Sequence, residues 1–249
     1  MKRILLACLV LCATAVGQSV IQIGAILPVE WKTSLDSRKA RVGQTLTGRI
    51  AQDVPLGAGA KIHAGAKVIG RVVAVTPADG IGGGAQIAFR FDTVVTSKGR
   101  IPIATNLRAL ASPMAVWDAQ LPLSGPDRGT SENAWTTVLI GGDEVAYRGG
   151  GPVAKGLQVV GKALTNGVLV QVSAKAGTNC RGQSEGNDQL QALWVFSSDS
   201  CGLYDLPDLR IAHAGRTSPS GVITLATDQG EVQVKVGSGM LLRVNGGTP

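Results

Sequence analysis

Short runs in which apolar and polar residues alternate follow one another along this chain, and they predict an all-β protein. Over residues 86–95 the side chains Ile87, Phe89 and Phe91 occupy every second position, the period at which a strand buries one face. Further strand-like runs in the first half lie at residues 45–51, 66–75 and 100–109. The first half therefore predicts a series of neighbouring strands.

The strand rhythm continues through the second half, at residues 136–140, 144–147, 157–160, 168–174, 191–196, 222–226, 231–236 and 240–244. Short turns separate the last three runs, which predicts a meander. Glycine supplies 34 of 249 residues, about twice its usual share, and most glycines stand between apolar runs, as turn residues do. No segment beyond the N-terminal stretch shows a convincing helical period.

A break in this rhythm over residues 112–135 predicts a linker, or a long loop inside one domain. It contains prolines and polar turn residues without a sustained period. We therefore expect a small barrel-like β domain over residues 18–111 and a sandwich-like β domain over residues 136–249, both with Gly-rich turns. An apolar stretch ending near Pro28 predicts an edge strand, because proline cannot donate to a strand ladder.

Residues 1–17 predict a cleavable secretory signal peptide, with two basic residues, a short apolar core and small residues before the cleavage site. Its removal takes away Cys8 and Cys12 and leaves Cys180 and Cys201. A cysteine pair in an exported chain most simply forms one disulfide, here closing a loop of about 20 residues. No later run is apolar and long enough to cross a bilayer, so we expect a periplasmic or secreted protein without a transmembrane anchor.

Metal, cofactor and nucleic-acid sites find little support in the residue pattern. The two cysteines could instead ligate a metal, but no paired metal-ligand spacing occurs, and His63 and His213 stand alone. The net charge of +7 looks scattered along the sequence, and aromatic residues form only 4% of the chain. We therefore expect no metal, no cofactor and no nucleic-acid partner.

A GxSxG motif at residues 182–186 raises the alternative of a secreted serine hydrolase that uses Ser184, with Asp208 and His213 completing a triad. In hydrolases this motif joins a strand to a helix, whereas here a strand-like run at residues 191–196 follows. The motif therefore favours a loop over a catalytic site.

Two other features admit a functional and a structural interpretation. The glycines of residues 80–85 resemble a dinucleotide-binding loop, but a strand follows them in place of a helix, which predicts a hairpin loop. Trp31, Trp117, Trp135 and Trp194 could stack on sugars, although core anchoring or a lid between domains is the commoner use of tryptophan in such a chain.

The first half resembles a known family in three segments, at residues 62–72, 87–95 and 98–103. Their order of Gly-containing turns and strands is similar to the C-terminal β-barrel of the TrbI family, which forms the outer-membrane core of type IV secretion machines. The resemblance covers residues 46–110, with His63 and Ala64 where that family usually has proline. It implies a barrel-like fold in a bacterial envelope. We expect this chain to lack the family's inner-membrane helix, Pro-rich spacer and pore helix, so secretion activity is not implied.

These patterns together predict a non-catalytic exported protein of the cell envelope, acting as a structural or interaction module. Its partner would be an envelope protein or a polysaccharide. The alternatives are the serine hydrolase that uses Ser184 and an envelope assembly subunit related to the secretion barrel.

Overall fold

The computed structural model describes residues 21–57, 60–80, 82–120, 135–140, 143–148, 152–155, 158–162, 194–196 and 200–246. Within these ranges strands predominate and a single short helix occurs, so the all-β class predicted from the sequence is confirmed. The strands are β1 Ile26–Trp31, β2 Leu35–Asp36, β3 Thr45–Ile50, β4 Val54–Gly57, β5 Ala60–Ile62, β6 Lys67–Thr76, β7 Gln86–Thr96, β8 Gly99–Pro102, β9 Ala104–Ala111, β10 Trp135–Ile140, β11 Asp143–Arg148, β12 Pro152–Lys155, β13 Gln158–Lys162, β14 Gly202–Tyr204, β15 Leu209–His213, β16 Ile223–Thr227, β17 Gln233–Val234 and β18 Gly239–Gly246. The helix α1 spans Pro113–Gln120.

A ten-stranded mixed sheet holds most of the described chain, in the order β14, β9, β18, β1, β3, β6, β7, β16 and β15, with β8 also paired to β7. Only Ile103 separates β8 from β9, and its N–H donates to the Asp92 carbonyl of β7 at 3.0 Å. Because β8 pairs with β7 while β9 pairs with β18, the path through the strands returns to its start. The sheet is therefore closed on itself through β7, the continuous β8 and β9, β18, β1, β3 and β6.

The sheet crosses the predicted boundary at residues 112–135. Strand β18 lies between β1 and β9, and β16 pairs with β7. The expected sandwich-like domain of residues 136–249 is therefore wrong for the described strands of residues 202–246, which join the sheet of the first half. After the helix in chain order, β10 to β13 form a separate four-stranded sheet.

Two local expectations are also corrected. Strand β1 is internal, because it pairs with β18 on one side and β3 on the other. Its ladder with β3 runs from Val29 to Trp31, and beyond it the Pro28 carbonyl accepts the Ala51 N–H at 2.8 Å, so the missing N–H of Pro28 falls at the end of this ladder. The predicted meander does not form either, since β16 pairs with β15 and β7, β17 with β2, and β18 with β1 and β9.

The interior of the closed sheet is filled by apolar side chains. Trp31, Phe89 and Phe91 are fully buried and meet edge to face, with ring centroids 5.6 to 6.0 Å apart. Gly70 lets β6 and β7 approach here, because a Cβ on it would lie 2.1 Å from the Arg90 carbonyl oxygen. The interior is thus a packed core.

The helix begins where the sequence predicted a linker or loop. Ser112 caps it, accepting the Ala115 N–H on its side-chain oxygen at 3.0 Å, and Pro113 occupies the first helical position, which it favours. One face of α1, with Ala115 and Val116, joins Trp194, Phe196 and Tyr204 in a second apolar cluster. We call these five residues the apolar cover.

The apolar cover packs on the outer side of β9, β18 and β1. Along β18 the side chains alternate, because Met240 and Leu242 belong to the interior core whereas Leu241 belongs to the cluster of the cover. Gly239 makes room for the cover, since a Cβ there would lie 2.8 Å from Val116 Cγ2. One outer side of the sheet is thereby shielded from water.

The Gly-rich segment after β6 links two antiparallel strands, as predicted for a hairpin loop. Its end packs against the turn before β17, where Gly84 forms a bridge with Gly230. A Cβ on Gly84 would lie 2.1 Å from the Thr227 carbonyl oxygen, which explains the need for glycine. No helix follows this segment within the described residues, so the geometry for holding a pyrophosphate is not formed there.

Candidate anion-binding face

The three triad candidates are not brought together in the described part of the chain. Ser184 lies outside the described residues. Asp208 is exposed and makes no hydrogen bond to His213 there, because Nδ1 of His213 lies 2.7 Å from the Val222 carbonyl oxygen and Nε2 lies 3.1 Å from Thr217 Oγ1. His213 thus connects the two sides of the β15–β16 loop.

The predicted disulfide between Cys180 and Cys201 stays a prediction, since Cys180 lies outside the described residues. The backbone N–H of Cys201 donates to the Tyr204 hydroxyl at 3.0 Å, which places it beside the apolar cover. Among the described residues no group of three His, Cys, Asp or Glu side chains could hold a metal ion, and no helix is long and apolar enough to span a membrane.

The tryptophans do not form a common sugar-stacking surface in the described part of the structure. Trp31 is buried in the interior, and Trp194 is buried in the apolar cover, so both are core anchors. Trp117 is 53% exposed on α1. The side chain of Trp135 lies outside the described residues.

A strongly basic surface lies on the outer side of β3, β6, β7 and β8. These strands alternate like β18: in β3, Leu46 and Ile50 point into the core and Arg49 is exposed. With the β7–β8 turn they carry six basic residues and a single acidic one, Asp92. The basic residues are Arg49, Lys67, Arg71, Arg90, Lys98 and Arg100. We call this surface the basic face.

Three of these cations lie in one row across the strands. In the strand register Arg49 is opposite Lys67, Lys67 is opposite Val95, and Val95 is opposite Arg100. Like charges directly opposite each other on neighbouring strands cost about 0.2–1 kcal/mol. We therefore expect the pairing of Arg49 with Lys67 to carry a small electrostatic cost.

The cations of this row have no acidic partner within salt-bridge distance among the described residues. Glu30, on β1 opposite Arg49, is in an ion pair with Lys32. The row of Arg49, Lys67 and Arg100 can therefore accept an external anion without first breaking an internal ion pair.

Other cations of the same face are partly neutralised. Asp92 Oδ2 lies 3.0 Å from Arg71 Nη1 and 3.8 Å from Arg90 Nε, so one carboxylate serves two guanidinium groups. Asp92 is the extra residue of a β-bulge, because Ile69 pairs with Thr93 while Gly70 pairs with Phe91. The bulge turns Asp92 outward, beside the two arginines.

Several cations elsewhere are held in ion pairs. Arg38 donates to both carboxylate oxygens of Asp36, at 3.1 and 2.7 Å, and holds the pKa of Asp36 below its ordinary value. Lys61 Nζ lies 2.6 Å from Asp53 Oδ2 and, with the Ala64 N–H, lowers the pKa of Asp53. The row is distinguished from these sites by three aligned cations, none of which is in an ion pair with a described residue.

The positive charges that look scattered along the sequence are in part gathered on the basic face of the folded chain. Arg49, Lys67 and Arg100 lie far apart in the sequence and become neighbours only through the pairing of β3, β6, β7 and β8. A signal was present, because each falls at an outward position of its strand-like run. The missing information was the strand register, which aligns those positions.

The chain matches no protein-family model and no curated protein sequence.

Proposed function

We propose that this chain is an exported, non-catalytic binding module of the cell envelope that engages an anionic partner through its basic face. The observation that carries the proposal is the row of Arg49, Lys67 and Arg100, exposed and without a described acidic partner. An array of aligned cations attracts anions over a range of about 8–10 Å at physiological salt.

Two observations, on the interior of the closed sheet and on His213, support a non-catalytic role. Apolar side chains fill the interior of the closed sheet, which is where many β-barrels hold a ligand. The hydrogen bonds of His213 stabilise a loop. Binding on the outer surface is the use that these features favour.

The proposal is tested by retention on a polyanionic resin. Heparin-agarose is loaded with the wild type, with the triple variant Arg49→Gln, Lys67→Gln, Arg100→Gln, and with a control variant, Arg41→Gln, Arg216→Gln, Lys235→Gln. Both variants lose two arginines and one lysine from exposed positions, so they have the same net charge. We expect the face variant to elute at clearly lower salt than the control. Equal elution of the two variants would contradict the proposal.

Export and the disulfide form part of the same proposal. An oxidising compartment would allow Cys180 and Cys201 to pair. We expect the exported protein to begin after residue 17 and to show no free thiol when denatured without reductant. Two free thiols would disprove the bridge, and an uncleaved N-terminus would disprove the signal peptide.

A second proposal, an envelope assembly subunit similar to the TrbI family, is supported by the closed sheet. Strands β3 to β9 cover the residues over which the sequence resembles that family. A subunit of this kind would migrate with a large complex on native gels of gently extracted envelopes. Migration as a monomer would count against it.

A further inference from the structure

The spacing of the cations limits the shape of the anionic partner. Neighbouring strands lie about 4.8 Å apart, so Arg49 and Lys67 are adjacent, and Arg100 lies two strands, or about 10 Å, beyond Lys67. A single small anion could contact only part of this row. A ligand that uses all three cations has to run across the strands and present several negative groups in succession.

The uncharged positions of the basic face indicate which polyanions fit poorly. The outward residues beside the row are Thr47, Ile69, Thr93 and Val95, and no exposed aromatic side chain occurs on these four strands. Single-stranded nucleic acids bind through bases stacked on aromatic rings. Protein interfaces are built around a buried aromatic and apolar centre. Neither kind of platform is present on this face.

A lipid surface is also a poor match. Proteins that lie on membranes combine basic residues with exposed Trp, Phe or Leu side chains that enter the headgroup region. The only large apolar side chain strongly exposed on these strands is Val73, at 37%. Of the other exposed apolar residues, Met114 and Trp117 lie on α1, and Ile23, Val42 and Val236 lie singly in loops.

We propose that the ligand of the basic face is an anionic polysaccharide, a flexible chain whose negative groups repeat from sugar to sugar and which needs no apolar platform. This inference rests on the proposed function, since it names the anionic partner. Arg49 and Arg100 supply planar guanidinium groups that bind carboxylate or sulfate oxygens in pairs, and Lys67 supplies a point charge between them. Binding is electrostatic and weakens as salt rises.

The test is a calorimetric titration of the protein, purified as it is exported, with polygalacturonate and with dextran sulfate. Neutral dextran is the matched uncharged polymer. The same wild type is titrated with phosphatidylglycerol vesicles, single-stranded DNA and duplex DNA. The variants are the face and control variants defined above, each checked first for an unchanged circular dichroism spectrum and for a melting temperature no lower than that of the wild type.

We expect an anionic polysaccharide to bind the wild type and the control variant, with affinity about tenfold or more lower for the face variant, and dextran not to bind. The slope of log affinity against log salt should fall by about one for each cation removed. If vesicles or DNA bind more tightly and depend on the face, the polysaccharide is wrong while the proposed function stands. If no polyanion binds, or both variants lose affinity equally, both proposals are overturned.

Discussion

The two outer sides of the closed sheet are built in opposite ways. Over β9, β18 and β1 the outward side chains Ala109, Ala111 and Leu241 are small or apolar, and the apolar cover buries them. Over β3, β6, β7 and β8 the outward side carries Arg49, Lys67 and their neighbours, and no described element covers it. On both sides the strands alternate, but the outward residues of one side are apolar and packed, whereas those of the other side include exposed cations.

The comparison separates residues that stabilise from residues that are free to bind. Removing a side chain from the apolar cover should lower the free energy of unfolding, because buried apolar contacts are lost. Removing a cation of the row of Arg49, Lys67 and Arg100 should hardly change stability, because this row makes no described ion pair.

The largest effect is expected for Phe196→Ala. Phe196 is fully buried and meets Trp194 and Tyr204 edge to face, with ring centroids 6.4 and 6.1 Å away. We expect the free energy of unfolding to fall by about 3–5 kcal/mol, measured by urea denaturation. The control is Met114→Ala on the exposed side of α1, which should change it by less than about 0.5 kcal/mol. Similar small losses in both variants would mean that the cover contributes little.

A smaller effect of opposite sign is expected for Lys67→Gln. The change removes the repulsion between Lys67 and Arg49, so the free energy of unfolding should rise by a few tenths of a kcal/mol at low salt. The gain should disappear near 1 M salt, where the Debye length is only about 3 Å. The control Lys235→Gln, in a loop, should show no such salt-dependent gain. A loss of stability in Lys67→Gln would indicate that Lys67 has a structural partner.

The smallest effect is expected for Asp53→Asn, outside both regions. The ion pair with Lys61, followed by the Ala64 N–H, lowers the folded-state pKa of Asp53 below its ordinary value of 3.8. Such a carboxylate contributes stability above pH 3.8 that is lost as the pH falls through the folded-state pKa. Asp53 is 44% exposed, so the loss at pH 7 should be only about 0.2 kcal/mol, and it should be smaller still at pH 3, below the ordinary pKa. Equal losses at both pH values would exclude the ionic origin.

The individual strands could be predicted because alternation is a local property. The run predicted at residues 86–95 is β7, Gln86–Thr96, and the alternating side chains Phe89 and Phe91 are buried in the interior. The helix was missed because it has only eight residues and lies among prolines that suggest a linker. The signal that could have found it is Ser112 followed by Pro113, a common beginning of a helix.

The closure of the sheet and the basic face could not be predicted from the alternation of apolar and polar residues along each strand. Strand β18 completes the ring between β1 and β9, although most of the chain separates it from β1. Likewise, Arg49 and Lys67 become neighbours only through the β3–β6 register. Pairing of this kind depends on packing across distant segments, which alternation alone does not encode.

We propose that the ligand binds the bare basic side of the sheet and not the side under the apolar cover. The most direct measurement is the change in backbone amide NMR signals when polygalacturonate is added to the isotope-labelled protein. We expect the signals of Arg49, Lys67, Val95 and Arg100 to shift together, while those of Ala109 and Leu241 under the apolar cover stay unchanged. Shifts centred on β9 and β18, or spread evenly over all exposed basic residues, would contradict it.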